Sequence, residues 1–187
     1  STHAVEPEFD YFTAVDDQKA ASEEEDAGAG MIGTVEFNSS TLYRYATVDV
    51  DALEHNLGDR DLTVKAVGLF LESFVKAMPT GKQNTFANRT LPDAVVVSVH
   101  DGQPVSWVGA FERPIRPSDE GYVGASIREL RAHADRLRSA YGAEGISQFV
   151  TVVPPNDSAF DGWEGVLPLP DLLEAVVGNL TSRSAES

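Results

Sequence analysis

Cysteine is absent from the 187-residue sequence. Its absence excludes disulfide bonds, thiolate metal ligands and cysteine nucleophiles, and it is typical of a reducing compartment, so we expect a cytoplasmic protein. No apolar run approaches the roughly 20 residues that span a bilayer. The first residues, Ser1 to Glu6, lack the basic and apolar regions of a signal peptide, and we therefore expect no membrane partner.

Catalytic and metal-binding signatures are also missing. A Gly-x-Ser-x-Gly nucleophile elbow does not occur, and Gly81-Lys82 lacks both the upstream glycine and the following Ser or Thr of a Walker loop. The four histidines show no metal-ligand spacing; they are His3, His55, His100 and His133. We therefore expect no catalytic residue, no metal and no cofactor. One alternative stays open, a small acidic hydrolase built on His100 and Asp101.

Positive charge is scarce, since 14 Lys and Arg face 30 Asp and Glu, for a net charge of −16. Such a balance argues against a general affinity for nucleic acid. The imbalance is concentrated in the first 30 residues, where Lys19 is the only Lys or Arg. The acids there are Glu6, Glu8, Asp10, Asp16, Asp17, Glu23, Glu24, Glu25 and Asp26. Half of the excess lies in this stretch, so a local basic patch elsewhere is compatible with the composition.

The chain is otherwise typical of one globular domain with a real core, with 42% hydrophobic and 9% aromatic residues. Apolar periodicity, capping residues and turn signals divide it into strands and helices. The predicted elements are strands 34–37 and 41–50, a short helix 51–57, a helix from Asp59 or Asp61 to Met78, strand 94–100, a returning strand 105–111, helix 123–141, strand 148–153 and helix 170–180. This order predicts an α+β sandwich of the ferredoxin or RNA-recognition kind, with a crossover helix between 41–50 and 94–100.

Two of these elements carry strong burial signals. The helix that ends near Met78 is apolar almost all round, which predicts a buried core helix. Residues 94–100 form a continuous apolar run, which predicts a strand covered on both faces in the middle of a sheet.

A polar loop from Pro79 to Arg89 connects that helix to that strand. Lys82 supplies a point charge, Gly81 permits close backbone approach, and Arg89 offers a planar guanidinium fork. Neutral hydrogen-bonding groups complete the loop; they are Gln83, Asn84, Thr85 and Asn88. These groups suit a phosphodiester backbone, and the alternative is a plain polar loop.

Three further patterns each have two interpretations. Tyr43 and Tyr45 flank Arg44, which fits a stacking platform for RNA bases or the ordinary β-propensity of tyrosine. Aromatic residues around Phe12 indicate a satellite cluster packed on the domain or an extension that inserts an aromatic ring into a partner. Four arginines in helix 123–141 indicate phosphate contacts or, as we favour, a solvated face balanced by neighbouring acids.

Several segments, taken in order, resemble the CasC family, the backbone subunits of the type I-E CRISPR Cascade surveillance complex. The segments are Asp10 to Asp17, Phe37 to Ala46, Thr80 to Ala87 and Gly109 to Pro114. The match extends from about residue 8 to residue 153, and several motifs in one order are more specific than any one of them.

The resemblance implies an RNA-recognition-like palm, inserted fingers and a protruding thumb. It implies that copies stack as a filament along one guide RNA (crRNA), that each thumb displaces a nucleotide, and that the subunit is not catalytic. The implied partners are crRNA, target DNA paired to it, other copies of the chain and other Cascade subunits. The alternative from another class is a protein-interaction module with a ferredoxin-like sheet.

The resemblance also implies roles for individual residues. Phe12 would be the thumb wedge against bases. The other thumb residues would be Tyr11, Thr13, Met31 and Ile32, and the RNA contacts would be Lys82, Gln83, Asn84, Tyr43, Arg44 and Arg89. The expected domains are a thumb segment with an acidic flexible linker (1–33), a palm (34–181) and a disordered tail (182–187).

Two departures from the family accompany this assignment. The chain begins inside the expected thumb, so we expect the N-terminal part of the subunit, with part of the palm, the fingers and many basic guide contacts, to be missing. That missing half is then a further expected partner. Residues 22–30 are also unusually acidic for a segment near RNA.

Overall fold

The computed structural model describes residues 1–14, 31–81, 83–163 and 165–183. The predicted acidic linker, Lys82 and residues 184–187 lie outside this part of the chain. The helices and strands, in chain order, are β1 (Glu8–Ala14), β2 (Met31–Phe37), α1 (Val50–Leu57), α2 (Arg60–Lys76), α3 (Gln83–Phe86), β3 (Ala94–His100), α4 (Val123–Tyr141), β4 (Ile146–Val152) and α5 (Leu169–Arg183). Short 3₁₀ segments occupy Val108–Phe111 and Asn156–Phe160.

Capping residues define the two helices before the polar loop. Asp49 accepts a hydrogen bond from the backbone N–H of Ala52, and Gly58 ends α1 in the left-handed conformation with φ 66°. Asp59 caps α2 in the same way through the N–H of Leu62. Both helices were predicted, with Gly58 as the end of the first and Asp59 or Asp61 as the cap of the second; the Asp49 cap was not predicted, and α2 ends at Lys76 rather than at Met78.

The prediction that α2 is a buried core helix is wrong, because only one of its faces is covered. The buried residues are Thr63, Val64, Val67 and Val75. On the other side Leu69 is 66% exposed and Phe70 is 39% exposed. The covered face packs against α1 and α5, and no element of the described chain covers the opposite face.

The main sheet pairs β3 with β4 in antiparallel register, from Ala94 opposite Val152 to His100 opposite Ile146. One face packs against what we call the helix-pair core, which consists of Val64, Val67, Leu172, Val176 and Leu180. The other face packs against a second core, which consists of Ile127, Val150, Val152 and Phe160. Side chains on both faces of β3 thus contact a core, but the predicted position in the middle of a sheet is wrong among the described residues, because β3 has β4 as its only ladder partner there and all seven of its residues are half-buried.

Two predicted strands do not form. Residues 41–49 pair with no strand among the described residues. The backbone of Thr41 is bonded to the N-terminal residues instead, because its C=O accepts from the N–H of Thr2 and its N–H donates to the ring of His3. Residues 105–111 end in a 3₁₀ turn, because β3 pairs with β4 and not with the segment that follows it. The ferredoxin-like sheet is therefore not formed among the described residues, although the mixed helix and strand class is confirmed.

The strands β1 and β2 form a separate antiparallel ribbon, with Phe12 directly opposite Gly33. The Phe12 ring lies across Gly33, in the space that a Cβ atom would fill. Phe9, Tyr11 and Phe12 are all exposed, so the ribbon does not form a packed satellite cluster.

The arginines of helix α4 are balanced by neighbouring acids, as in the interpretation we favoured, but the face is only partly solvated, because the Arg131 side chain is 16% exposed and lies over the Trp163 ring. Arg131 pairs with Asp135 at 2.7 Å, Arg136 pairs with Glu129 at 2.8 Å, and Arg138 donates to Gln148. Within the described ranges, no helix combines the length and apolar character needed to cross a membrane.

We expect Leu172→Ala to lower the free energy of unfolding by about 2–5 kcal/mol, because Leu172 is fully buried and the substitution leaves a cavity. Leu69→Ala removes the same atoms from the exposed side of α2 and should change stability by less than about 0.5 kcal/mol. Urea unfolding followed by circular dichroism measures both. An equal loss for the two variants would show that the outer face of α2 is packed.

Candidate nucleic-acid interface

A cleft of about 410 Å³ lies where α2 ends and the polar loop begins. It brings together the last turn of α2, the short helix α3 and the segment that leads to β3. The residues that line it are Lys76, Ala77, Met78, Gln83, Arg89, Thr90 and Leu91. The cleft therefore contains Gln83 and Arg89 of the residues predicted to contact RNA, and it adds Lys76.

Arg44 is anchored at the rim of this cleft. Its Nη1 donates a hydrogen bond of 3.0 Å to the C=O of Ala77, a lining residue. Its guanidinium carbon lies 4.5 Å from the centre of the Phe74 ring. A cation at a helix C-terminus also interacts favourably with the helix dipole. These contacts hold an exposed guanidinium in place while most of its five N–H donors stay available.

Lys76 and Arg89 differ in how far their charge is already neutralised. The Nζ of Lys76 lies 2.5 Å from a carboxylate oxygen of Glu72, four residues earlier on the same helix. Arg89 is exposed, and its side chain has no hydrogen bond or ion pair with any described residue. Arg89 is therefore the cation of the cleft with the greatest capacity for an added anion.

The polar loop is held by its own side chains. Gln83 donates to the C=O of Pro79 and Asn88 donates to the C=O of Gly81, each at 3.3 Å. Ala87 has φ 50°, a left-handed value that is uncommon for a residue with a Cβ atom. Asn84 is exposed on α3. The loop is thus a folded turn rather than an open tether, and it presents Asn84 and Arg89 outwards.

The two tyrosines beside Arg44 take different positions. The Tyr43 ring packs against Phe111 with 5.6 Å between centres, and its hydroxyl accepts from the backbone N–H of Trp107. Tyr45 is 45% exposed. Since neighbouring residues of an extended segment alternate in direction, Tyr43 turns to the interior while Arg44 turns to the cleft. The predicted RNA contact through Tyr43 stays a prediction, and Tyr45 is the more accessible ring.

The ribbon meets the cleft at its base, where Phe37 of β2 contacts Phe86 of α3 with 4.9 Å between ring centres. Phe12 is 49% exposed, and Tyr11 lies on the opposite face of β1. The backbones of Thr13, Met31 and Ile32 belong to the ribbon, and their side chains lie outside what the structure describes. The predicted thumb roles therefore stay predictions, with Phe12 placed on an accessible ribbon.

Sequence reasoning missed Lys76 and Gly33. The signal for Lys76 was its place in the last turn of α2, directly before the polar loop. The signal for Gly33 was an isolated glycine inside a strand pattern, which indicates close approach of another group.

The histidine of the hydrolase alternative has no catalytic partner in its neighbour. The carboxylate of Asp101 forms an ion pair with Arg183. Burial lowers the pKa of His100, and the charge of Arg183 lowers it further. In the described ranges, no group of three or more His, Asp or Glu side chains is placed to hold a metal ion.

Comparison with known proteins adds independent findings. A comparison with curated protein sequences gives no match. A solved structure titled "CRISPR RNA-guided surveillance complex" matches with 35% identity and a TM-score of 0.82, over 96% of this chain and 67% of that one. A second, titled "CRISPR RNA-guided surveillance complex, pre-nicking", matches with 35% identity and a TM-score of 0.81, over 96% of this chain. The chain spans about half (52%) of the length of that second relative.

The family evidence comes from a sequence model described as "CT1975-like protein", which matches residues 1–166. That match covers well over half of the chain, and the two structural matches agree with it. The resemblance to the CasC family is thereby confirmed, and the protein belongs to the CT1975-like protein family.

Proposed function

We propose that the chain is a guide-RNA-binding backbone subunit of a CRISPR surveillance complex of the Cascade kind, type I-E. In this proposal it assembles with further copies along crRNA, supports recognition of target DNA, and catalyses no reaction itself. The observation that carries the proposal is the cleft at which Arg44, Lys76 and Arg89 converge beside a ribbon of exposed aromatic residues. Family membership and the RNA-guided complexes among the matched structures support it.

The acidity of the chain does not exclude this function. Salt screens charges with a Debye length of about 10 Å at 0.1 M, so a phosphate in the cleft responds most strongly to the charges that touch it. The cations there act at contact distance. Binding through them depends on the RNA backbone and not on its sequence, as a subunit that carries variable guides requires.

The ribbon supplies the second part of the proposal. A ring that is half exposed on a two-stranded ribbon can stack on a base, and every base has a face for stacking. Phe12 has this geometry, and Gly33 lets its ring lie close against the opposite strand. The Phe37–Phe86 contact brings the ribbon next to the helix α3, from which Gln83 lines the cleft. We infer that Phe12 acts on bases while the cleft holds phosphates.

The cleft is tested by the salt dependence of RNA binding. The double variant K76A R89A removes two phosphate-binding cations. We expect it to bind a guide-length single-stranded RNA more weakly and to lower the slope of log K against log salt by about 1.4, about 0.7 for each lost contact. Fluorescence anisotropy between 50 and 200 mM salt, within the range over which such slopes are large, measures the slope.

The matched control is Lys65→Ala, which removes the same charge from the exposed side of α2 about three turns from Lys76. This variant should leave the slope unchanged. If K65A lowers the slope by half as much as K76A R89A, which is the same loss for each charge removed, the effect is one of net charge and the cleft is not the site. Binding without salt dependence would favour the protein-interaction module instead.

The ribbon is tested with Phe12→Ala in the complex assembled on guide RNA. We expect this variant to weaken pairing of the guide with target DNA by about 1–3 kcal/mol per lost stacking contact, while guide retention stays nearly unchanged. Target affinity and the amount of RNA retained per subunit are the two measurements. Equal losses in both would remove the wedge role.

Phe9→Ala is the matched control, because Phe9 is exposed on the same strand but on the opposite face from Phe12. It should change neither measurement. Gly33→Ala places a methyl group where the Phe12 ring lies, so it should displace the ring and reproduce part of the Phe12→Ala loss. A Gly33→Ala variant with full target affinity would show that the ring position on the ribbon is unimportant.

A further inference from the structure

The ribbon of β1 and β2 packs little against the rest of the described chain. Among the described residues, none from the ribbon belongs to either hydrophobic core, and Phe9, Tyr11 and Phe12 are exposed. Its ring contact with the remainder of that part of the chain is that of Phe37 with Phe86, and Phe86 is itself 48% exposed. Side-chain burial therefore does little to fix the direction of the ribbon, and its two connections to the domain become decisive.

The two connections of the ribbon meet at Thr41. Residues 4–7 join His3 to β1, and residues 38–40 join β2 to Thr41. The C=O of Thr41 accepts a 2.9 Å hydrogen bond from the N–H of Thr2, and its N–H donates to Nε2 of His3 at 3.1 Å. We call Thr2, His3 and Thr41 the ribbon root. The root closes the base of the ribbon by hydrogen bonds between its two connections.

The ribbon root is embedded in the domain. Thr2 is 2% exposed and His3 is 8% exposed. The C=O of Thr2 accepts from the N–H of Ile115 at 3.0 Å. The ring of His3 stacks on the ring of Tyr122, directly before α4, with 3.7 Å between ring centres and 9° between planes. The root is thus attached to two separate segments of the chain, at Ile115 and at the start of α4.

Ser126 supplies a further attachment of the root to α4. Its Oγ lies 2.7 Å from the C=O of Tyr122 and 2.9 Å from Oγ1 of Thr2. A hydroxyl has one proton and a carbonyl can only accept, so Ser126 donates to Tyr122 and the hydroxyl of Thr2 donates to Ser126. Ser126 is 5% exposed, so both hydroxyls are buried and both are hydrogen-bonded.

The two nitrogens of the His3 ring have different and fixed roles. Nε2 accepts from the N–H of Thr41, so the ring proton lies on Nδ1, which is 2.7 Å from the C=O of Ala4. A buried polar network with every member satisfied favours one arrangement, because a shift leaves a buried group without a partner. Tilting the ribbon would pull Thr41 away from His3, and the root therefore opposes such a tilt.

The position of Phe12 is sensitive to the direction of the ribbon. Glu8 and Phe37 form the residue pair at the base, and Phe12 lies four residues further along β1, which is about 13 Å at the rise of a strand. A tilt of about 10° at the base would move the Phe12 ring by about 2 Å. A gap of about 0.5–1 Å already loses a quarter to a half of a dispersion contact, so this shift would remove a stacking contact.

We propose that His3 is a positioning residue for Phe12. By accepting from Thr41 and stacking on Tyr122, His3 fixes the direction of the ribbon relative to the domain. The anchored root is a property of the chain with or without RNA. Its consequence for base contacts rests on the proposed function, in which Phe12 acts on bases.

Pulsed electron paramagnetic resonance tests the anchoring directly, because the chain has no native cysteine and two introduced cysteines can be labelled alone. The labels are placed at Thr34→Cys, exposed on β2, and at Glu174→Cys, exposed on α5. His3→Leu removes both ring nitrogens, and we expect it to shift or broaden the distance between the labels by about 2 Å or more. An unchanged distance distribution in folded His3→Leu overturns the proposal.

A conservative variant and a matched control sharpen this measurement. His3→Gln keeps an acceptor for the N–H of Thr41 and should restore much of the original distance distribution; broadening equal to that of His3→Leu overturns the assigned role of the acceptor. Phe86→Ala removes the exposed ring contact beside the ribbon and leaves the root intact, so its distribution should stay narrow. A ribbon loosened by Phe86→Ala but not by His3→Leu would place the anchor at the ring contact and overturn the proposal.

The positioning role is tested in the complex assembled on guide RNA. His3→Leu should lower target affinity by about the same factor as Phe12→Ala, with guide retention and the salt slope unchanged. The double variant H3L F12A should be no weaker than F12A, because both changes act through one contact. Additive losses overturn the positioning role. A loosened ribbon with full target affinity in both single variants confirms the anchored root and overturns the action of Phe12 on bases.

If His3→Leu does not fold, amide hydrogen exchange of the unaltered chain decides. The N–H groups of Thr41 and Ile115 are bonded within the root, whereas those of Leu42 and Arg116 have no hydrogen bond with a described residue. We expect Thr41 and Ile115 to exchange at least about tenfold more slowly than Leu42 and Arg116. Equal exchange of the four amides would show that the root does not hold and overturn the proposal.

Discussion

The packing of α2 against α5 is the interaction on which the rest of the structure depends. Leu172 and Val176 have almost no exposed surface and fill the space beside Val64 and Val67. Burying a side chain of this size contributes about 1.5–3 kcal/mol, so this cluster accounts for much of what orients α2. The orientation of α2 fixes the position of Lys76 at the C-terminal end of the helix. The sheet packs on the same cluster, and this fixes the start of β3, to which the polar loop leads. The cleft is the space left between these two constraints.

The three cations at the cleft differ in how far other groups of the protein already engage their charge. Arg44 is held by a helix carbonyl and an aromatic ring, Lys76 is paired with Glu72, and Arg89 has no such contact among the described residues. A phosphate added to the cleft would therefore find Arg89 unpaired among the described residues and Arg44 already held in position. Lys76 would have to divide its charge between the phosphate and Glu72. Because exposed ion pairs are worth little, the Lys76–Glu72 pair is a small obstacle to such exchange. We propose that the acidic chain presents a local anion site in this way.

Helices were predicted more accurately than strands, and particular residues show why. Gly58 and Asp59 act on the turn that contains them, so their effect on helix bounds is local and visible in sequence. Residues 41–50 have the pattern of a strand, but a strand needs a partner, and residues 41–49 pair with no strand in the described part of the chain. Apolar residues almost all round α2 predicted a buried core helix in the same way, although only one face of the helix packs against other elements.

The sequence by itself determined the helices α1, α2, α4 and α5, the apolar strand β3, the polar stretch between α2 and β3, and the family to which the chain belongs, but not the short helix α3 within that stretch. These follow from local capping, from periodicity and from motifs in order, none of which needs a distant contact. The tertiary structure decided that β3 pairs with β4, that Tyr43 turns inwards while Arg44 turns to the cleft, and that Lys76 joins Arg89. The physical reason is that pairing and burial depend on residues far apart in the chain, which meet only when the helix-pair core has formed.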